Sequence, residues 1–266
     1  MRIIEKMLYK AAMLASPPPR FDRLDALRGL AMLWMTVFHF CFDLNHFGWL
    51  KQNFYTDPVW TWQRALIVSM FLFCAGMGQA VATAQGQSWP RFWRRWAMVA
   101  GCALLVSAGS FFMYPKSFIY FGILHGIALM LIIVRLTAAW GQWLWLLGAC
   151  AIALKFIAAY VLSTLTLPEF SSNISVLLHS KAFNWLGLIA VKPITEDYVP
   201  LVPWLGVMWW GMAAGQWVLA HRPAWFSAPV GRAEPLAILG RWSLSYYMVH
   251  QPVMIGALML VKLAIV

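Results

Sequence analysis

Long apolar runs separated by short polar connections set the pattern of the chain. Stretches near 24–44, 59–82, 97–114, 118–136, 143–164, 199–219 and 236–262 are each apolar over about the 20 residues that a helix needs to cross the hydrocarbon core. Backbone groups in lipid must be bonded within their own segment, and the ten-residue alternation of an outer-membrane barrel is absent. The pattern therefore predicts an all-α, polytopic helical bundle of seven spans. It divides the chain into an N-terminal tail, 1–23, and a single transmembrane domain, 24–264. The tail opens MRIIEKMLYKAAMLAS and then runs into Pro17, Pro18 and Pro19 where a signal-peptide cleavage region would stand, so it reads as a cytoplasmic tail. The longest connection, 165–198, holds a half-apolar stretch, ISVLLHSKAFNWLGLIA, that is too mixed to span and predicts an interfacial or re-entrant helix.

Charge gives the orientation. With the N-terminus inside, Arg2, Lys6, Lys10, Arg20, Arg23, Arg91, Arg94, Arg95, Arg135, Arg222 and Arg232 face the cytoplasm, against Lys51, Lys116, Lys181 and Lys192 outside. That bias predicts N-in and, after seven spans, C-out. Composition agrees with a bilayer: 62% of residues are hydrophobic and 11% charged, too little polar surface for a soluble globule of 266 residues. The net charge of +11 lies in short runs between spans, which argues against nucleic acid as a partner. Cys41, Cys74, Cys102 and Cys150 lie in apolar stretches with no CxxC pair and no zinc spacing, so neither a disulfide nor a metal is expected.

Ionisable groups inside spans are costly and point to function. On the first span, Asp25, Arg28, His39 and Asp43 share one stripe, since residues eleven apart on a helix differ by about 20° in azimuth. The helical rise puts His39 roughly 22 Å from the cytoplasmic end of its span, His250 roughly 21 Å from the start of the last, and His125 roughly 10 Å below the outer face. Three histidines at one depth, with Asp43 one turn from His39, suggest an acid–base centre. Packing by interhelical hydrogen bonds is the competing explanation for each histidine. Arg64, two turns into the second span, is a candidate partner for Asp43. At the cytoplasmic ends Arg28, Arg94, Arg95 and Arg241 offer guanidinium forks suited to phosphate, although the positive-inside rule also accounts for the 91–95 run.

The first span, RLDALRGLAMLWMTVFHFCFDL, resembles the opening of the acyltransferase type-three family, with its LDxLRG start and an Arg-x10-His pair, here Arg28 and His39. The segments FGILHGIAL (121–129), DYVPLVPWLG (197–206) and LGRWSLSYYMVHQPV (239–253) resemble bacterial relatives of heparan-alpha-glucosaminide N-acetyltransferase, and the likeness extends over most of 20–260. The resemblance implies transfer of an acyl group, acetyl by expectation, from cytoplasmic acyl-CoA to a sugar or glycolipid acceptor beyond a bacterial inner membrane. It makes His39 the acid–base or transiently acylated group, and it places Asp25, Arg241 and His250 at recurrent family positions. One departure is visible: the heparan enzyme carries its proposed active histidine after the first span in a His-Ala-Ser-Trp-Asn setting, whereas the loop here, 45–58, has only His46 in other surroundings. A proton-coupled transporter or flippase is the alternative, for which breaks at Gly76, Gly78 or Pro252 would speak, followed by a non-catalytic scaffold. A homo-oligomer is left open.

Overall fold

The computed structural model describes residues 21–164 and 170–265. Most of the expected tail and residues 165–169 of the long connection lie outside the described residues. All seven predicted stretches are helical. The helices are α1 (Asp22–His46), α2 (Pro58–Ala84), α3 (Trp89–Met113), α4 (Ile123–Leu136), α5 (Trp143–Thr164), α6 (Phe170–His179), α7 (Leu201–His221), α8 (Pro223–Ser227), α9 (Glu234–Arg241) and α10 (Ser243–Ile265). Five of them, α1, α2, α3, α5 and α10, are long and apolar enough to cross a membrane.

The ends of these helices follow from local chemistry. Asp57 caps α2 by accepting from the Val59 amide at 2.8 Å, and Pro58 at the first helical position has no amide to leave unpaired. The third helix starts at Trp89, eight residues before the predicted apolar run, so Arg91, Arg94 and Arg95 belong to its first two turns. By contrast α4 begins five residues later than predicted. Its 14 residues span about 21 Å, short of a bilayer core of about 30 Å. Asp197, far along the chain, accepts from the Ile123 amide at 2.7 Å and so fixes that start. The predicted last span, 236–262, is two helices, with α9 ending at Arg241 and α10 starting at Ser243.

Packing centres on α2, α4 and α7, where Leu72, Met130, Val134, Met208 and Met212 are sealed from solvent. The closest helix contacts rest on glycine. A side chain at Gly76 would run into the α7 backbone at Met208, and one at Gly211 into the α2 backbone at Phe73, so the two helices touch main chain to main chain. The same device joins α9 to the start of α1, through Gly240 against the Asp25 carbonyl and Gly29 against Leu236. Half of the apolar window of α2 (50%) is buried within the protein, against 11% for α3 and for α10. Leu104, Phe112, Phe156, Leu260 and Leu263 are among the large apolar side chains left outside, a surface that only a bilayer satisfies.

Candidate active site

Helices α1 and α10 lie side by side and are tied by three side-chain hydrogen bonds. The hydroxyls of Thr36 and Tyr246 meet at 2.8 Å, His39 Nδ1 meets His250 Nε2 at 2.9 Å, and Gln251 Nε2 donates to Asp43 Oδ1 at 2.7 Å. The imidazole planes of His39 and His250 are inclined by only 11°, and the Tyr246 ring lies near-parallel to His250 at 9°.

The partners fix the protons. Nδ1 of His250 lies 2.8 Å from the Tyr247 carbonyl, which can only accept, so the proton of a neutral His250 sits on Nδ1 and its Nε2 is an acceptor. His39 must then donate from Nδ1. This leaves His39 Nε2 with a free lone pair, and no group among the described residues is bonded to it. A ring held by one nitrogen, with the other unprotonated and unoccupied, is the arrangement a general base or nucleophile needs.

The other residues singled out from the sequence fall in different places. His125 spends both nitrogens on structure: Nδ1 accepts from the Gly122 amide at 3.3 Å, and Nε2 lies 3.1 Å from Ser107 Oγ, which itself donates to the Ile119 carbonyl at 2.6 Å. It lies in the first turn of α4, instead of well inside a span as expected, and is not joined to the other two histidines. Asp43 is buried, and its bonded partner is Gln251 instead of the expected Arg64, while its Oδ2 has no partner. Among the described residues the ion pairs are Arg28–Asp25 at 2.7 Å and Arg241–Asp22 at 2.8 Å, so Arg241 binds the start of α1.

Below the paired histidines lies a cavity of about 270 Å³ between α1, α2, α3, α4 and α10. Arg28, Arg95, Gln79 and Gln87 line one part of it; Met32, Phe71, Ile123, Leu124, Ile127 and Tyr247 line the rest. Arg28 gives Nη1 to Asp25 and turns Nη2 towards Gly78, where the missing side chain keeps the approach open. Arg94, one residue from Arg95, is exposed and lies off the cavity. Tyr247 joins the two regions, because its side chain lines the cavity and its carbonyl holds His250. Neither histidine lines the cavity, yet Tyr247 and His250 are separated by only about 4.5 Å of helix rise.

At the far end, beyond Asp43, the connections add a polar cluster. Glu196 accepts from Ser117 at 2.6 Å and from Tyr55 at 3.3 Å. Burial pushes the Asp197 carboxyl above the usual carboxylate range, against the pull of the Ile123 amide and of Lys192 and Arg64. Burial raises the Tyr55 phenol too, helped by the Glu196 charge, and burial raises Tyr114 beside Asp43 and Glu196. His46 packs edge-on against Tyr114 at this same end. Trp185 donates to the Ala182 carbonyl at 2.7 Å and tilts against Phe121. Among the described residues no group of three or more His, Cys, Asp or Glu is placed to hold a metal.

Residues 20–252, nearly the whole bundle, match the catalytic domain of heparan-alpha-glucosaminide N-acetyltransferase. The chain belongs to this family. No curated protein and no solved structure matches it. Membership in the heparan-alpha-glucosaminide N-acetyltransferase family, together with the apolar helices, makes the chain an integral membrane protein of acetyltransferase type. The matched span contains Arg28, His39, Asp43 and His250 and both walls of the cavity.

Proposed function

We propose that this protein takes an acetyl group from acyl-CoA held in the Arg28–Arg95 cavity and passes it to a carbohydrate or glycolipid acceptor at the His39 end of the bundle, across a bacterial inner membrane. The carrying observation is the cavity itself, with Arg28 and Arg95 from the first turns of α1 and α3 on its wall and an apolar lining up to Tyr247, whose carbonyl holds the His250 that orients His39. Charge bias along the sequence sets the arginine end in the cytoplasm, where CoA is found.

The residues fit such a donor. Arg28 and Arg95 supply planar donors for phosphate oxygens, and the apolar wall suits a chain of methylenes. Bound there, CoA would supply an acetyl group already activated as a thioester. The chain's own part is to position and to handle protons. His39 Nε2 takes the proton of the acceptor's amine or hydroxyl as that group bonds to the acetyl carbon, the charge on the ring is held through Nδ1 by His250, itself anchored to the Tyr247 carbonyl, and the same proton is returned to the sulfur as the C–S bond breaks and CoA leaves as the free thiol. Asp43, one turn further out and buried, adds a negative or hydrogen-bonding group next to that ring. His125 and Arg241 hold helices in place in this account, as Arg94 does not.

At the positions where a break would speak for transport the helices are continuous: α2 runs unbroken past Gly76 and Gly78, and α10 continues through Pro252. The test is release of free CoA from acetyl-CoA by purified protein in detergent, with and without a membrane glycolipid extract. Acceptor-dependent release that disappears in His39→Ala is the expected result. Absence of turnover in the well-folded wild-type protein across several acyl-CoAs would sink the proposal.

A further inference from the structure

Two side chains in the cavity have hydrogen-bonding capacity that the protein leaves entirely unused. Gln79, near the end of α2, and Gln87, in the turn after it, both line the cavity with Arg28 and Arg95. Neither carboxamide makes a hydrogen bond among the described residues, and the Oε1 atom of each is sealed without a partner. Gln87 is only 8% exposed, so water at the surface does not relieve it. Folded proteins rarely leave buried amides unpaired, and where they do a ligand or bound water completes them.

The surroundings say what kind of ligand. The nearest charges on the cavity wall are the two arginines, and no carboxylate lines it, so a cationic ligand is disfavoured throughout. A carboxamide offers an acceptor and two donors, and its two ends exchange by a flip of the terminal torsion. Its natural complement is a group that has both an N–H and a C=O and no charge, which is a secondary amide. Beyond the glutamines Phe71, Ala75, Ile127 and Leu131 are apolar and suit short methylene links. A flexible arm carrying two secondary amides between phosphates and a thioester fits that order of surfaces, and CoA has such an arm.

We infer that Gln79 and Gln87 bind the amide groups of the pantetheine arm, so that the protein selects its donor by the arm as well as by the phosphates. The inference rests on the acyl-CoA reading of the cavity and adds two specificity residues to it. Arg28 and Arg95 hold the nucleotide end, and the glutamines set the path of the arm towards Tyr247.

Calorimetric titration of the full chain in detergent separates the two ideas, using CoA, 3′-phosphoadenosine 5′-diphosphate, which keeps every phosphate and lacks the arm, and pantetheine. Methionine matches glutamine in length, so Gln79→Met and Gln87→Met remove the amide and keep the packing. Each variant should bind CoA and pantetheine about tenfold more weakly and 3′-phosphoadenosine 5′-diphosphate within twofold of wild type. Should a methionine variant fail to fold, Gln79→Leu or Gln87→Leu gives the same readout. Unchanged CoA binding in the variants overturns the inference, as does equal weakening of CoA and 3′-phosphoadenosine 5′-diphosphate. Wild-type protein that binds no CoA overturns the acyl-CoA reading itself, a result distinct from wild type and variants binding CoA alike.

Discussion

Along α1, the region around His39 and the region around Arg28 are built in opposite ways. At His39 the first and last helices are closed on each other by three side-chain hydrogen bonds within two turns, and the planes of the two histidine rings lie near-parallel. At Arg28 the helices stand apart around about 270 Å³ of space, with two arginines and two unpaired carboxamides on its wall. A tightly bonded pair of rings suits a step in which a proton moves over a fixed distance. An open polar cavity suits binding of something large. The division implies that variants at one end change turnover and variants at the other change affinity.

The largest effect should come from His39→Ala, which removes the free lone pair. Turnover is expected to fall by about 10² to 10⁴, with CoA affinity kept within twofold in a binding assay. Next comes Arg28→Leu, which takes a cation from the cavity and leaves Asp25 without its partner; CoA affinity should drop by about ten- to a hundredfold and the rate at saturating donor should change little. His250→Phe keeps an aromatic ring and removes the acceptor for His39 Nδ1–H, so turnover should fall by about ten- to a hundredfold without loss of CoA binding. Equal losses of affinity and turnover in these three variants would erase the division between the regions.

Smaller effects sharpen it. Asp197→Ala frees the Ile123 amide at the start of α4 and should cost about 1 kcal/mol in thermal or denaturant unfolding, while Asp197→Asn keeps an acceptor there and should cost less. Because burial raises the Asp197 carboxyl, the fold favours its protonated form. The stability linked to that form is full below the ordinary carboxylate value near 3.8 and is lost as pH rises through the raised one, so Asp197→Asn should flatten the pH dependence of unfolding above about pH 4. Smallest of all, Arg94→Ala should leave donor affinity within twofold, in contrast to Arg95→Ala, which alters the cavity wall.

Hydropathy alone located all seven helical stretches, because burying a backbone in lipid demands a long apolar helix. It misplaced α4 because hydropathy does not read what sets that start: Asp197, 74 residues away along the chain, on the Ile123 amide, and His125 reaching back to the Gly122 amide. It also merged α9 and α10, since the short polar interruption Gly240-Arg241-Trp242-Ser243 is averaged away over a span-length window. For the site, helical rise put His39 and His250 at one level, as their bond bears out, and it gives azimuth within one helix, which is why Arg28 and His39 could be put on one stripe of α1. Rise says nothing of how one helix is turned towards another. His250 and His125 were expected at similar depth, yet α10 turns His250 to His39 and α4 turns His125 to Ser107. The Asp43–Gln251 bond was hidden for the same reason, and charge attraction pointed to Arg64. Gln79 and Gln87 were passed over because an uncharged amide near a helix end is ordinary in sequence; only the cavity and their missing partners give them meaning.

The claim that ties both regions together is that an acyl chain enters from Arg28 and ends below His39. An acetyl-CoA analogue carrying a photoreactive diazirine on its acyl group tests this most directly, with the labelled residues read by mass spectrometry of the purified protein. Insertion into Met32, Phe71 or Tyr247 that is competed away by CoA and weakened in Arg28→Leu is the result this account predicts. Insertion confined to lipid-facing residues of α3, α5 or α10, or unaffected by excess CoA, would contradict it.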